Sequence, residues 1–168
     1  ESQVAPYFAL NTVLNEGVFF AANRLFGIRF VERTDIPVYH PDVRVWEIFD
    51  QNDEGLALFY GDFFARDSKS GGAWMGNFIE QSTLLSTKPV IYNVCNYQKP
   101  AAGQTALLSW DDVITLFHEF GHTLHGLFAR QRYATLSGTN TPRDFVEFPS
   151  QINEHWASHP QVFTHYAR

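Results

Sequence analysis

The sequence lacks the features that mark several classes of protein. Its 168 residues include one cysteine, Cys95, which excludes an internal disulfide and a cysteine-based zinc cluster. Lysine and arginine form no run, and the formal net charge is −6, so we expect neither nucleic acid nor an anionic membrane as a partner. No uninterrupted apolar run approaches the roughly 20 residues that span a bilayer. The sequence therefore predicts a protein that acts on neither nucleic acid nor membrane.

Hydrophobic residues are plentiful by comparison. They make up 45% of the chain and aromatic residues 16%, which is ample for a packed core. The length fits one domain or part of one. Because the sequence opens on Glu1 rather than methionine and runs to Arg168 without any stop signal, we expect residues 1–168 to be a fragment of a longer chain that extends beyond both ends. The absence of a basic and apolar leader predicts a cytoplasmic location.

The hydrophobic pattern predicts an α+β fold. Residues 7–26 have apolar positions at helical spacing, and Gly27 is a plausible stop. Ser109 is expected to cap a helix that reaches about Arg130, and Thr141-Pro142 to begin a last helical region. Between the helices, the pattern predicts strands beginning at 28, over 43–49, 56–60 and 89–97, a hairpin turn at 52–55 and a polar loop at 66–76. Helices and strands do not alternate, which argues against a parallel α/β sheet.

The helix that follows Ser109 contains the motif His118-Glu119-Phe120-Gly121-His122. At about 100° and 1.5 Å per residue, His118 and His122 project from one face of a helix, one turn apart. Two imidazoles so placed can bind one zinc ion at about 2 Å each. Glu119 lies on the flank of that face, where it can take a proton from a zinc-bound water without binding the metal itself. The surrounding positions are apolar, so these polar side chains need a partner.

A third protein ligand is required, and two positions are excluded. His125 lies seven residues after His118, about 10 Å along the helix axis, so it cannot join both other histidines on one ion. Position 128, where one class of zinc peptidase has its third histidine, is Phe128. We therefore expect His125 to have a structural or supporting role, or to lie on the surface.

Three carboxylates of the next helical region are candidates: Asp144, Glu147 and Glu154. Glu147 is favoured because its neighbours are apolar, where an unpaired carboxylate would be costly. Asp144 competes as a helix cap, since Thr141-x-x-Asp144 resembles a capping box. A di-iron bundle is a weak alternative, because Glu119-x-x-His122 is the only such repeat where two are needed.

Two longer segments carry a resemblance to a known family. His118-Glu-Phe-Gly-His122-Thr-Leu-His-Gly, followed by Asp144-Phe-Val-Glu147-Phe-Pro-Ser-Gln, resembles the thimet oligopeptidase family of zinc metallopeptidases, with most similarity to its bacterial peptidyl-dipeptidases, or dipeptidyl carboxypeptidases. The segments 63–75 and 92–100 resemble the same group. The resemblance covers essentially all of residues 1–168.

The resemblance implies a set of roles. His118, His122 and Glu147 would bind one Zn²⁺ per chain, and Glu119 would be the catalytic carboxylate. The fold would be a zincin-like catalytic core fragment with a zinc-binding helix beside a small sheet, in a largely helical parent protein. In that parent, downstream tyrosine and histidine residues and an N-terminal lobe would complete the site.

The implied activity is zinc-dependent hydrolysis of short peptides, with release of C-terminal dipeptides by attack of a zinc-bound water. Alternatives are an oligopeptidase that cleaves internal bonds and a catalytically incompetent zinc-binding fragment. By analogy with related peptidases, we expect the strand at 92–96 to pair with the substrate backbone. Substrate contacts are therefore expected at Asn93 and, in the glycine loop, at Gly72 and Ala73.

Overall fold

A mixed five-stranded sheet organises the chain in the computed structural model, which describes residues 3–168. In chain order the strands are β1 (Arg29–Arg33), β2 (Arg44–Phe49), β3 (Gly55–Phe64), β4 (Trp74–Ile79) and β5 (Val90–Tyr97). Their order across the sheet is β1-β2-β3-β5-β4. The pair β3–β5 is parallel and every other neighbouring pair is antiparallel. The architecture is α+β, as the sequence predicts.

The helices fall at the two ends of the chain. The first helical region consists of α1 (Leu10–Thr12), a π-helical stretch (Val13–Phe19) and α2 (Phe20–Phe26), and it ends at Gly27 in the left-handed region with φ 67°. The later helices are α3 (Trp110–Leu127), α4 (Arg143–Ser158) and α5 (Pro160–Tyr166). Short 3₁₀ turns occupy Ala5–Tyr7 and Ala134–Leu136. Within residues 3–168 no helix is both long and apolar enough to cross a membrane.

The core lies between α3 and one face of the sheet. Phe120 of α3 packs edge-to-face on Phe59 of β3 at 5.3 Å between ring centroids, and Phe19 contacts both rings. Burial of each such ring contributes about 1.5–3 kcal/mol. At the far end of α3 the helix crosses the sheet so closely that a Cβ at Gly126 would lie 2.9 Å from Met75 Cε. This packing fixes α3 over β4 and β5.

The helix ends test the sequence predictions directly. The Ser109 cap is confirmed: its hydroxyl accepts from Asp112 N–H at 3.1 Å, and the Asp112 carboxylate accepts from Ser109 N–H at 3.0 Å. The predicted capping box of Thr141 and Asp144 is wrong, because α4 begins after Pro142 and no side chain caps it. Proline supplies a fixed φ at that position in place of a side-chain cap.

Two boundaries also differ from expectation. Helix α3 ends at Leu127 rather than near Arg130, and α4 continues through Pro149. The polar segment expected at 66–76 is a loop only in its first part. Its end forms β4, which occupies one edge of the sheet and places β5 in the interior.

Candidate metal centre

Helix α3 presents two imidazoles side by side. The rings of His118 and His122 are 4.9 Å apart between centroids and nearly perpendicular. One helical turn separates them, as the motif spacing predicts. The Ser109 cap at the start of α3, worth about 1 kcal/mol, fixes where this helix begins and hence where the two rings point.

Glu147 of α4 completes a cluster of three donor groups. Its Oε2 lies 3.1 Å from His118 Nε2 and 3.1 Å from His122 Nε2. All three donor atoms lie within 4.8 Å of one another, and among residues 3–168 no other group of histidine, cysteine or acidic side chains converges in this way. Ligands held tetrahedrally at zinc–nitrogen and zinc–oxygen bond lengths of about 2.0–2.1 Å are roughly 3.3 Å apart. The observed separations therefore fit a zinc-sized ion.

The protonation states of these groups also fit a metal. Burial lowers the pKa of His122 and favours the neutral imidazole, which is the form that binds metals. Burial alone would raise the pKa of Glu147, but a hydrogen bond from Ser150 and the two nearby histidines outweigh it and leave that pKa lowered. The cluster thus offers a neutral nitrogen at His122 and an ionised carboxylate at Glu147.

Glu119 occupies a different position from the three donor groups. It is 6% exposed, and its Oε2 has no hydrogen-bond partner among residues 3–168. Burial raises its pKa to about 7, an effect that His118 reduces and Glu147 increases. A buried carboxylate oxygen without a partner is costly unless a cation or water satisfies it. Glu119 is therefore poised to exchange a proton near neutral pH.

A close helix crossing brings Glu147 within reach of α3. A Cβ at Gly121 would lie 2.6 Å from Ser150 Cα and 2.9 Å from Asn153 Cβ, so only glycine allows this approach. Ser150 also donates its hydroxyl to Glu147 Oε2 at 2.9 Å. The buried amide of Asn153 donates to the carbonyl oxygen of Phe117 at 2.6 Å, which ties α4 to the backbone beside His118.

Glu154 holds the other nitrogen of His118. Its Oε1 lies 2.6 Å from His118 Nδ1, so a proton on Nδ1 would be donated to this carboxylate. That bond selects the tautomer whose Nε2 lone pair faces Glu147 and His122. Carboxylates in this position orient metal-binding histidines and raise their basicity.

An open cavity of about 360 Å³ lies in front of these groups. Its lining is contributed by the cluster, by Glu119 and by residues of the β3–β4 loop, β4, α4 and the segment before α4: Ala73, Trp74, Met75, His118, Glu119, His122, Thr139, Val146 and Glu147. A larger cavity of about 620 Å³ lies elsewhere, between Leu56 and Leu127, and contains none of the donor groups. Size alone therefore does not mark the candidate site.

The three expected substrate contacts differ in position. Ala73 lines the cavity, and Gly72 precedes it with φ +90° and open space around its Cα. Their contact with a substrate stays a prediction. Asn93 is 0% exposed, and its amide donates to Thr123 Oγ1 at 2.8 Å and to the carbonyl oxygen of Glu119 at 3.3 Å. The structure therefore places Asn93 behind α3 rather than at the cavity wall.

The expectation that the strand at 92–96 pairs with substrate is wrong. This strand, β5, is hydrogen-bonded to β3 on one edge and to β4 on the other. No strand among residues 3–168 pairs with the outer edge of β4. The backbone edge next to the cavity is therefore that of β4, which contributes Trp74 and Met75 to the lining.

The remaining candidates lie outside the donor cluster. His125 contacts Phe145 at 6.1 Å between ring centroids, in agreement with the prediction that it cannot share an ion with His118. Asp144 is exposed in the first turn of α4. Sequence reasoning assigned no role to Ser150 or Asn153, and it considered Glu154 only as a candidate metal ligand. Spacings of three and seven residues after Glu147 place Ser150 and Glu154 on or near its face of α4, and that helical period is a usable signal for these two.

Comparisons with known proteins identify a matching family model and several relatives. The family model described as Peptidase family M3 matches residues 1–168. The chain is 87% identical over 168 residues to the dipeptidyl carboxypeptidase of Escherichia coli strain K12 and 84% identical to that of Salmonella typhimurium, in each case over 100% of the chain and 25% of the relative. It is 44% identical over 166 residues to oligopeptidase A of Escherichia coli strain K12, over 96% of the chain and 24% of that relative. The chain thus spans about a quarter of the length of these relatives.

Proposed function

Because this chain belongs to Peptidase family M3, we propose that it forms the zinc-binding part of an enzyme that hydrolyses short peptides. The observation that carries the proposal is the convergence of His118, His122 and Glu147, with the buried carboxylate of Glu119 beside them. We also propose that residues 1–168 belong to a longer, zincin-like catalytic domain, since they correspond to about a quarter of each relative.

His118, His122 and Glu147 would hold one zinc ion, which when bound supplies a Lewis acid that lowers the pKa of water and polarises a peptide carbonyl. Three protein ligands leave one tetrahedral position open, as in catalytic rather than structural zinc sites. Glu154 keeps the His118 ring in the required tautomer through the 2.6 Å contact with Nδ1. Asn153 and Ser150 keep α4 at the distance that Glu147 needs.

Glu119 would act as general base and then as general acid. Its raised pKa of about 7 suits a group that accepts a proton from water and returns it to the leaving amine. A nearby divalent cation would favour its ionised form, which is the form that accepts the proton. No covalent intermediate is required, because water attacks the peptide carbonyl directly.

We propose that the substrate backbone lies along the edge of β4 that no strand of residues 3–168 occupies. Pairing an extended peptide with a strand edge uses main-chain hydrogen bonds, so it reads peptide shape without requiring a particular side-chain sequence. Trp74 and Met75 of this strand line the same cavity as the donor cluster. The strand that pairs with the substrate is thus β4 and not β5.

The preferred reaction is release of C-terminal dipeptides, because two relatives at 87% and 84% identity are named dipeptidyl carboxypeptidases. Cleavage of internal bonds is the second candidate, favoured by the 44% identity to oligopeptidase A. Amidation of the C-terminus of a short substrate separates them. An enzyme that releases dipeptides loses most of its activity on the amidated peptide, whereas an internal-cleaving enzyme loses little.

The zinc site is tested by metal content. Zinc per chain is measured after dialysis in the complete protein that contains these residues, beside the variants Glu147→Ala and Asp144→Ala. We expect about one zinc in the unaltered protein and in Asp144→Ala, which removes a carboxylate of the same helix outside the cluster. Glu147→Ala should lose most of its zinc. Full zinc retention in Glu147→Ala, or none in the unaltered protein, would contradict the proposed site.

A further inference from the structure

The loop between β3 and β4 approaches the candidate site, and side chains on the protein side anchor its backbone. Residues 65–73 form this loop, and Ala73 at its end lines the cavity beside the donor cluster. Within it, a Cβ at Gly71 or Gly72 would meet nothing within 4 Å. The loop backbone is therefore open to the solvent side, while two side chains hold it from the protein side.

Asn96 of β5 is the first of these side chains. Its Nδ2 donates to the carbonyl oxygen of Ser70 at 2.7 Å and to that of Gly72 at 2.7 Å. A carboxamide nitrogen has two hydrogens, so both donors of Asn96 are used on this loop. Gly72 adopts φ +90°, a conformation that side-chain-bearing residues rarely take, and the bond to its carbonyl fixes the orientation of the following peptide.

Lys69 is the second side chain, and it points inward from the loop. Its side chain is 5% exposed, although lysine is seldom buried. The ammonium group donates to three carbonyl oxygens, those of Phe64 at 2.6 Å, Asp62 at 3.2 Å and Cys95. It also lies 3.2 Å from Asp62 Oδ1.

The reason for this burial lies in the sheet. The register of the parallel pair β3–β5 shifts between Asp62 and Phe64, and such an irregularity leaves backbone groups without ladder partners. The ammonium of Lys69 satisfies carbonyl groups there. Asp62, whose side chain is 2% exposed, balances the charge and accepts two further bonds from Arg66, at 2.8 and 2.9 Å. Residues 66 and 69 of the loop are thus both anchored to the end of β3.

We propose that Asn96 and Lys69 are positioning residues that hold the backbone of residues 70–73 where an extended peptide substrate binds beside the zinc site. Neither side chain lines the cavity or touches the donor cluster. Their effect on the substrate passes through the loop backbone, so they serve binding rather than the chemical step. The inference rests on the proposed peptidase function. It assigns substrate positioning to residues outside the donor cluster.

A purely structural role for Asn96 predicts different measurements from a positioning role. Loss of two bonds in a loop that only stabilises the fold would lower thermal stability and leave substrate binding intact. Displacement of a substrate-binding backbone raises KM while kcat changes little, because the interaction is equal in the ground state and the transition state. It also leaves a ligand that touches only the metal unaffected.

The test uses Asn96→Ala and Asn96→Asp in the complete zinc-loaded protein. The substrate is an N-acylated tripeptide, and the inhibitors are acetohydroxamate, which reaches only the metal, and a hydroxamate extended by a dipeptide. Asn96→Asp keeps the side-chain volume but turns a carboxylate towards two carbonyl oxygens. It therefore distinguishes the loss of the two hydrogen bonds from the loss of side-chain packing. The matched control is Asn23→Ala, which removes an amide bond to the carbonyl oxygen of Ile28 far from the site.

We expect Asn96→Ala to raise KM by about tenfold with kcat within about twofold, and Asn96→Asp to raise it at least as much. The inhibition constant of the dipeptide hydroxamate should rise in parallel, while that of acetohydroxamate and the zinc content stay unchanged. Asn23→Ala should behave as the unaltered protein. An unchanged KM in both Asn96 variants, or an equal loss of both inhibitors, would overturn the positioning role.

Lys69→Met supplies an independent variant, compared with Lys88→Met, whose exposed amine donates to the carbonyl oxygen of Gly55. Lys69→Met should show the same rise in KM together with lower stability, since it leaves Asp62 with fewer partners.

If the unaltered protein neither holds zinc nor cleaves the tripeptide, the proposed peptidase function itself fails. An active unaltered protein with normal KM in the Asn96 variants refutes only the positioning role.

Discussion

His118 Nδ1 lies 2.6 Å from Glu154 Oε1, whereas its Nε2 lies 3.1 Å from Glu147 Oε2. The imidazole is thus held between two carboxylates of the same helix, seven residues apart. Glu154 fixes the proton on Nδ1, and Glu147 lies opposite the Nε2 lone pair. The orientation of this histidine is set by α4 as much as by its own helix.

The first prediction concerns metal affinity. Glu154→Ala should weaken zinc binding by about 10- to 100-fold, because the His118 ring loses the bond that sets its tautomer. Competition with a chromogenic chelator measures the change. Glu54→Ala, at a carboxylate remote from the cluster, serves as the control. An affinity in Glu154→Ala equal to that of the control would show that Glu154 does not support the site.

The second prediction separates metal binding from the chemical step. Glu119→Gln should retain about one zinc per chain, because Glu119 is not among the converging donors, yet lose hydrolysis by roughly 10²- to 10⁴-fold. Zinc content and the rate of peptide cleavage are measured on the same preparation of the complete protein. Near-normal turnover would refute the base role of Glu119.

The third prediction concerns the helix crossing. Gly121→Ala places a methyl group 2.6 Å from Ser150 Cα, so α4 must move away. We expect a loss of about 1–3 kcal/mol in the free energy of unfolding and weaker zinc binding, since Glu147 moves with α4. Gly71→Ala is the matched control because its Cβ would meet nothing within 4 Å. Chemical denaturation and chelator competition report the two effects.

The fourth prediction concerns acid stability. Burial tends to raise the pKa of Asp62, but hydrogen bonds from Arg66, Tyr39 and Lys69 leave it below its usual value. A lowered folded-state pKa means that Asp62 stabilises the fold above its unfolded pKa of about 3.9, and this contribution disappears as the pH falls through the folded value. Asp62→Asn should therefore lower stability by about 3 kcal/mol at pH 7 and by progressively less below about pH 4.

Urea denaturation followed by tryptophan fluorescence at several pH values measures this trend. Asp67→Asn changes an exposed carboxylate of the same loop and should give a curve parallel to that of the unaltered protein. A constant difference between Asp62→Asn and the unaltered protein from pH 7 to pH 3 would contradict the assignment.

The local parts of the site followed from sequence because helical periodicity is a short-range property. The spacing of His118 and His122 and the cap at Ser109 depend only on residues within a few turns of each other. Glu147 could only be favoured from its apolar neighbours, and the resemblance to a family made it the third ligand. Its contact with α3 depends on how two helices pack, which local pattern does not determine.

Several features of the sheet could not be predicted from the sequence. Residues of a strand alternate between faces, but the sequence does not say which face α3 covers, so Asn93 was expected in the cavity when it lies behind the helix. Strand β4 was hidden because a glycine loop precedes it and because Gly76 and Asn77 interrupt its apolar residues. The buried Asp62–Lys69 pair was equally hidden, since charged residues in a polar segment are ordinarily assigned to the surface.

The placement of the donor groups on α3 and α4 has a consequence for folding. His118 and Glu154 are 36 residues apart, whereas the contact of His165 with the backbone of Glu16 joins positions 149 residues apart. Each doubling of loop length adds about 0.6 kcal/mol of closure entropy, so closing the contact of His118 with Glu154 costs about 1 kcal/mol less than closing that of His165 with Glu16. We therefore expect this pair to be able to capture its ion before residues 16 and 165 come together, so that metal binding can precede completion of this part of the fold.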